Sequence, residues 1–207
     1  MLNPNFVYFG VLLNFLGGIS YLIDTVKGKV QPNRVSWLLW SFAPMIAFVG
    51  QISQGVGIRA LSTFIVGFMP MLVFISSFFN KKAEWKIVKL DIVCGVLSVI
   101  GLILFLITKE GNVAIIFGII ADLLAGIPTI VKSYHHPASE NIWPYFAGVI
   151  NPGIVILTIT DWNFEYFGFP IYLIFYNLTV TLLLFSKIGV KNQPKMYAAK
   201  QVGNQHQ

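Results

Sequence analysis

Seven apolar runs fill almost the whole chain, and only one acid falls inside any of them. A helix needs about 20 largely apolar residues to cross a bilayer. The runs are 5–23, 35–58, 60–80, 92–108, 112–131, 141–160 and 166–186, and the single acid is Asp122. Charged residues make up 11% of the 207, where a soluble domain of this size carries roughly a quarter. The expected fold is therefore an all-α membrane protein of seven transmembrane helices, with lipid as its main solvent. The first run has no basic stretch before it and no small-residue cleavage site after it. It is expected to be a retained helix, not a removed signal peptide.

Charge placement predicts an orientation. Connections one, three and five and the C-terminal tail hold Lys27, Lys29, Arg34, Lys81, Lys82, Lys86, Lys89, Lys132, Lys187, Lys191, Lys195 and Lys200. The other side holds only Arg59 and Lys109. Basic loops stay in the cytoplasm, so the N-terminus is expected outside and the C-terminus inside, in a plasma (inner) membrane. The same placement accounts for the net charge of +6 through topology and anionic lipid head groups, and no nucleic-acid partner is expected. Cys94 lies in an apolar run as the one cysteine, so it reads as a small buried hydrophobe.

The chain also repeats itself. Residues 9–25 (FGVLLNFLGGISYLIDT) and 117–133 (FGIIADLLAGIPTIVKS) align without gaps at an offset of 108, with five of seventeen positions identical. Asn14 falls opposite Asp122. The match continues from Pro32 to Trp37 and from Pro137 to Trp143, each a proline, a polar turn and a tryptophan, with one residue of loop length between them. The expected organisation is a first triple-helix bundle at 1–80, a linker helix at 81–110, a second triple-helix bundle at 111–189 and a disordered cytoplasmic tail at 190–207. An odd linker gives both triplets the same orientation, a parallel 3+1+3 repeat.

This plan, with IPTIVKSYHHPASENIWPYF at residues 127–146, resembles the SWEET and PQ-loop transporter superfamily. Pro128-Thr129 matches the family's first proline motif and Pro144 its second, and Asn177 lies near the family's pocket asparagine. The resemblance covers all seven runs in plan and is sharp in the second half. In the first half Ser20 and Leu38 replace the two prolines, and Phe68 or a neighbour stands where the first asparagine is expected. The resemblance implies alternating access around a central solute site.

Asp122 is the costliest residue, because an ionisable group inside a span normally faces the bundle interior or a water-filled cavity. Helical spacing aligns it with Ala125, Gly126, Thr129 and Ser133. Asn14 on the first helix, Asn151 on the sixth and Asn177 on the seventh offer further polar groups. Together with Trp40 and Trp143, these residues are the expected substrate pathway. Pro44, Pro128, Thr129 and Pro144 are the expected gating and hinge residues, since an interior proline removes a backbone donor and loosens the turn before it. Asn14 and Asn177 are the expected partners of Asp122. Lys132 is expected to snorkel to the interface.

No nucleophile-base-acid set, phosphate-binding glycine loop or metal-ligand spacing stands out. No enzyme activity, cofactor or metal is expected. The expected function is a facilitator or proton-linked carrier of a small polar solute such as a sugar or amino acid, with Asp122 coupling the proton. The alternative is a non-transporting receptor or assembly protein on the same scaffold. The lipid bilayer and the solute are the expected partners, and a homo-oligomer is compatible with the plan.

Overall fold

The computed structural model describes residues 5–53, 60–79, 82, 85–108, 111–159 and 162–191. Arg59, Lys81, Lys109, Lys195 and Lys200 of the charge count lie outside them, as does nearly all of the expected tail. Every apolar run forms a helix. In chain order these are α1 (Phe6–Val26), α2 (Arg34–Ser53), α3 (Ala60–Ser76), α4 (Lys89–Ile107), α5 (Gly111–His135), α6 (Trp143–Thr158) and α7 (Phe164–Ser186). A 3-10 turn at Pro137–Ser139 precedes α6, and a short α8 (Ile188–Lys191) follows α7. The chain is thus all-helical, with no strand among the described residues. Among the described residues, four helices are long and apolar enough to cross a membrane: Tyr8–Val26 in α1, Lys89–Ile107 in α4, Ile115–His135 in α5 and Tyr166–Ser186 in α7. The apolar parts of α3 and α6 are shorter, Thr63–Ser76 and Trp143–Thr158.

α4 shows why these helices suit lipid. Its buried face is small or polar, with Asp91, Cys94, Gly95, Ser98 and Gly101. Its exposed face carries Ile92, Val96, Leu97, Ile100, Ile103 and Ile107. In water such a contiguous apolar face would be a liability; in a bilayer it is the solvated surface.

α3 packs against both α1 and α2, and α7 against both α5 and α6. α1 lies on α6, α2 on α5, and α4 runs along α5 and also meets α2. Close approach decides the α1–α6 contact. A side chain at Gly17 would place its Cβ 3.1 Å from the Pro144 Cα and 3.2 Å from the Ala147 Cβ, so only a residue without one lets the backbones meet.

Three connections gather at one end of the bundle, hereafter the basic end. The Gln31 backbone N–H donates to the Ser139 carbonyl at 2.9 Å, and the Gln31 side chain donates to the Lys82 carbonyl at 3.3 Å. α1 stops there in a left-handed turn at Gly28, φ 69°. Its N–H bonds the Thr25 carbonyl at 2.9 Å while the Lys29 N–H bonds that of Asp24 at 2.8 Å, which satisfies carbonyls the helix leaves open.

α2 and α6 start in the same way. Asn33 Oδ1 accepts from the N–H groups of Val35 and Ser36, and its amide donates to Asp91 Oδ1 at 2.8 Å. Asn141 Oδ1 accepts from the Trp143 N–H, and its amide donates to Asp24 Oδ2 at 2.6 Å and to Ser20. Each asparagine caps one helix and ties it to an acid of another. They stand 108 residues apart, the offset already seen between 9–25 and 117–133.

The core sits at this end as well. Tyr21, Trp37, Val73, Tyr145, Tyr176 and Val180 form one buried cluster drawn from α1, α2, α3, α6 and α7.

Candidate functional site

Beyond that core lies a cavity of about 560 Å³, lined from α1 to α7. Asp122 lies on its wall. Tyr172 of α7 donates to Asp122 Oδ2 at 2.7 Å, and the Trp40 indole N–H of α2 reaches the Asp122 carbonyl at 3.4 Å. Oδ1 accepts no hydrogen bond from the described residues. Asn14 and Asn177, expected as partners, line the same cavity without bonding the carboxylate. The Asn177 amide instead donates to the Leu173 carbonyl of its own helix at 2.9 Å. Tyr172 has an ordinary reason to be the partner, since a hydroxyl on a ring reaches farther across an interhelical gap than the shorter side chain of an asparagine. The spacing was available in the sequence: Tyr172 and Tyr176 are one helical turn apart and face α5 together, with Tyr176 donating to the Gly126 carbonyl at 3.1 Å.

The cavity gathers most of the expected pathway: Asn14, Trp40, Asp122, Asn151 and Asn177, with Pro44 and Pro144 on its wall. Trp143 is not among its lining residues. It is 58% exposed, with its ring against Phe146, because it opens α6 on the outer face. Pro144 also departs from the hinge expectation. It sits in the first turn of α6, where a proline removes no helical bond and sets the starting geometry. Pro44 and Pro128 are interior to α2 and α5 and do break the ladder. Thr129 is fully buried, and neither its hydroxyl nor that of Ser133 finds a partner among the described residues.

Between cavity and basic end stands a polar lock absent from the sequence reading. Lys132 Nζ and Glu140 Oε1 are 2.7 Å apart, both side chains fully buried. Tyr21 and Tyr145 donate to Glu140 Oε2 at 2.8 and 3.0 Å. Lys132 also donates to the Gln31 carbonyl and lies 4.8 Å over the Trp85 ring. Lys132 therefore does not snorkel: its acceptors come from α1–α2, α5–α6 and the turn before α6, and they replace water completely. The lock joins an α5 cation, an anion just before α6 and a phenol of α1. Aromatic contacts link it to the cavity, from Tyr21 to Trp37 (4.4 Å between centroids), Trp37 to Trp40 (5.6 Å) and Trp40 to Tyr176 (5.8 Å).

No family model matches the chain, and neither a curated protein nor a solved structure does so.

Proposed function

We propose that the chain is an integral membrane transporter of a small polar solute, built as a 3+1+3 parallel repeat similar to the SWEET and PQ-loop superfamily. One observation carries this reading: a cavity of ligand size, about 560 Å³, has a carboxylate and three amides on its wall, and a buried ion pair stands at the basic end of the bundle. Pockets for small ligands run roughly 300–1,000 Å³. The packing order supports the repeat. α3 lies between α1 and α2 as α7 lies between α5 and α6, α1 meets α6 as α5 meets α2, and the two asparagine caps keep the offset of 108.

In this reading the basic end faces the cytoplasm, the N-terminus lies outside, and the membrane is the plasma (inner) membrane. Alternating access opens the Lys132–Glu140 lock while the opposite end closes, with Pro44 and Pro128 as bending points. Asp122 couples a proton if flux depends on a proton gradient.

Flux into liposomes, measured across sugars, amino acids and related metabolites, tests the reading. No flux across the panel, with a stable protein partner instead, would favour a receptor or assembly role. Orientation is tested by single cysteines in a Cys94→Ser background. Asn163→Cys is expected to react with an impermeant reagent from outside, and Ala138→Cys is not. Asn33 is fully buried and so cannot report.

A further inference from the structure

We infer that the cavity's ligand is a small organic cation, a primary or quaternary amine, held by Asp122 and an aromatic wall. The inference rests on the cavity being the solute site and adds the chemical class of what it takes.

The charge of the wall carries the argument. Asp122 lines the cavity, and no Lys, Arg or His does so among the described residues. Tyr172 occupies Oδ2 and leaves Oδ1 without a donor. Asp122 is half-buried, and the described wall supplies one donor for its two carboxylate oxygens. An anionic ligand would meet that carboxylate with no cation to offset it. A neutral polyol can donate a hydroxyl to Oδ1 but brings no counter-charge. An ammonium group answers it.

The aromatic groups point the same way. Trp40 and Tyr176 line the cavity with rings 5.8 Å apart, and Trp40 touches the backbone of Asp122 itself. Ring faces beside a carboxylate attract a cation through the ring quadrupole, most strongly when desolvated. The acid and the rings are both explained by one ligand class.

Binding to the purified full chain in detergent tests the inference by calorimetry and by quenching of tryptophan emission. The probes are choline, tyramine and arginine as cations, glucose as a neutral polyol, glutamate as an anion, and the uncharged carbon isostere of choline. At least one cation is expected to bind, with glutamate silent and the carbon isostere far weaker than choline. Asp122→Asn is expected to weaken cation binding about tenfold to a hundredfold, the range for hydrogen bonds to charged groups, and Asp122→Glu to retain part of it. Trp40→Leu is expected to weaken it about twofold to thirtyfold. The isostere comparison needs no variant and so decides even if a substitution misfolds. Binding of none of the three cations, or equal binding of choline and its isostere, overturns the inference. Glucose flux without cation binding overturns it and leaves the transport reading standing. Cation binding without flux of any solute sinks the transport reading and leaves the site.

Discussion

Lys132 and Glu140 are paired at 2.7 Å with both side chains fully buried, across the turn that joins α5 to α6. Two phenols complete the carboxylate's shell. Removing one member leaves a charge buried without its counter-ion, which costs about 3–5 kcal/mol. Lys132→Met and Glu140→Leu are therefore each expected to lower the thermal unfolding midpoint in detergent substantially. The double variant is expected to recover part of the loss, because no lone charge remains. Singles as stable as the wild type would show that the pair adds nothing to stability.

That lock also marks what was legible in the sequence. The apolar runs gave α1 to α7 but not the 3-10 turn or α8, because lipid leaves the backbone of an apolar run no other way to bond itself. Asp122, Asn14, Asn151 and Asn177 were legible as a group, because polar residues in apolar helices turn inward. Lys132 was not, because a lysine at a helix end normally reaches water and its partner lies eight residues on, beyond a proline turn. Trp143 misled for a related reason: the sequence shows that a tryptophan sits near a helix end but not whether its ring faces the cavity or the outside. Tyr172 is not legible, because a tyrosine in an apolar helix looks like core until its hydroxyl is seen to meet a carboxylate.

Tyr172→Phe is expected to cost about 1–3 kcal/mol of stability, the penalty for leaving a buried acceptor unsatisfied. Asp122→Asn is expected to cost less, because the amide oxygen accepts the same bond from Tyr172. Asp122→Leu removes both partner and charge and is expected to fall below Asp122→Asn. If flux is proton-coupled, Asp122→Asn abolishes its dependence on pH while the protein stays folded. Thermal unfolding and flux at several pH values read these outcomes. Full stability of Tyr172→Phe would remove the hydroxyl from any structural role.

Gly17→Leu is expected to separate α1 from α6. The added Cβ alone would lie 3.1 Å from the Pro144 Cα and the Trp143 carbonyl, and overpacking of this kind typically costs about 1–3 kcal/mol. Gly153→Ala, with nothing within 4 Å of the added Cβ, is the control and is expected to be neutral. Equal loss in both would show that the effect belongs to glycine substitution in general and not to this interface.

His136 offers a pH effect outside the helices. Burial pushes its pKa below the ordinary 6.5, with His135 and Lys132 adding repulsion. The folded chain thus binds the proton less readily than the unfolded one, so stability is fullest above pH 6.5 and declines as pH falls below it. Because His136 is exposed the effect is small. His136→Gln is expected to flatten the slope of unfolding midpoint against pH in that window. An unchanged slope would assign the dependence to another group.

The two asparagine caps test the internal repeat most directly. Asn33 and Asn141 each accept a backbone N–H at the start of a helix and each donate to an acid, Asp91 in one case and Asp24 in the other. Losing a cap costs about 0.5–2 kcal/mol, and here the acid loses a donor as well. Asn33→Ala and Asn141→Ala are therefore expected to lower stability by similar amounts. Asparagine to aspartate separates the two roles. The cap acceptor survives, but the donor becomes a second carboxylate at hydrogen-bond distance from the first. Like charges so close repel strongly, so Asn33→Asp and Asn141→Asp are expected to be less stable than the corresponding alanines. The two loops are hydrogen-bonded to each other through Gln31 and Ser139, so the losses in the double alanine variant are expected to depart from additivity. If one asparagine matters and the other does not, the two helix starts are not equivalent, and the repeat loses its most specific support.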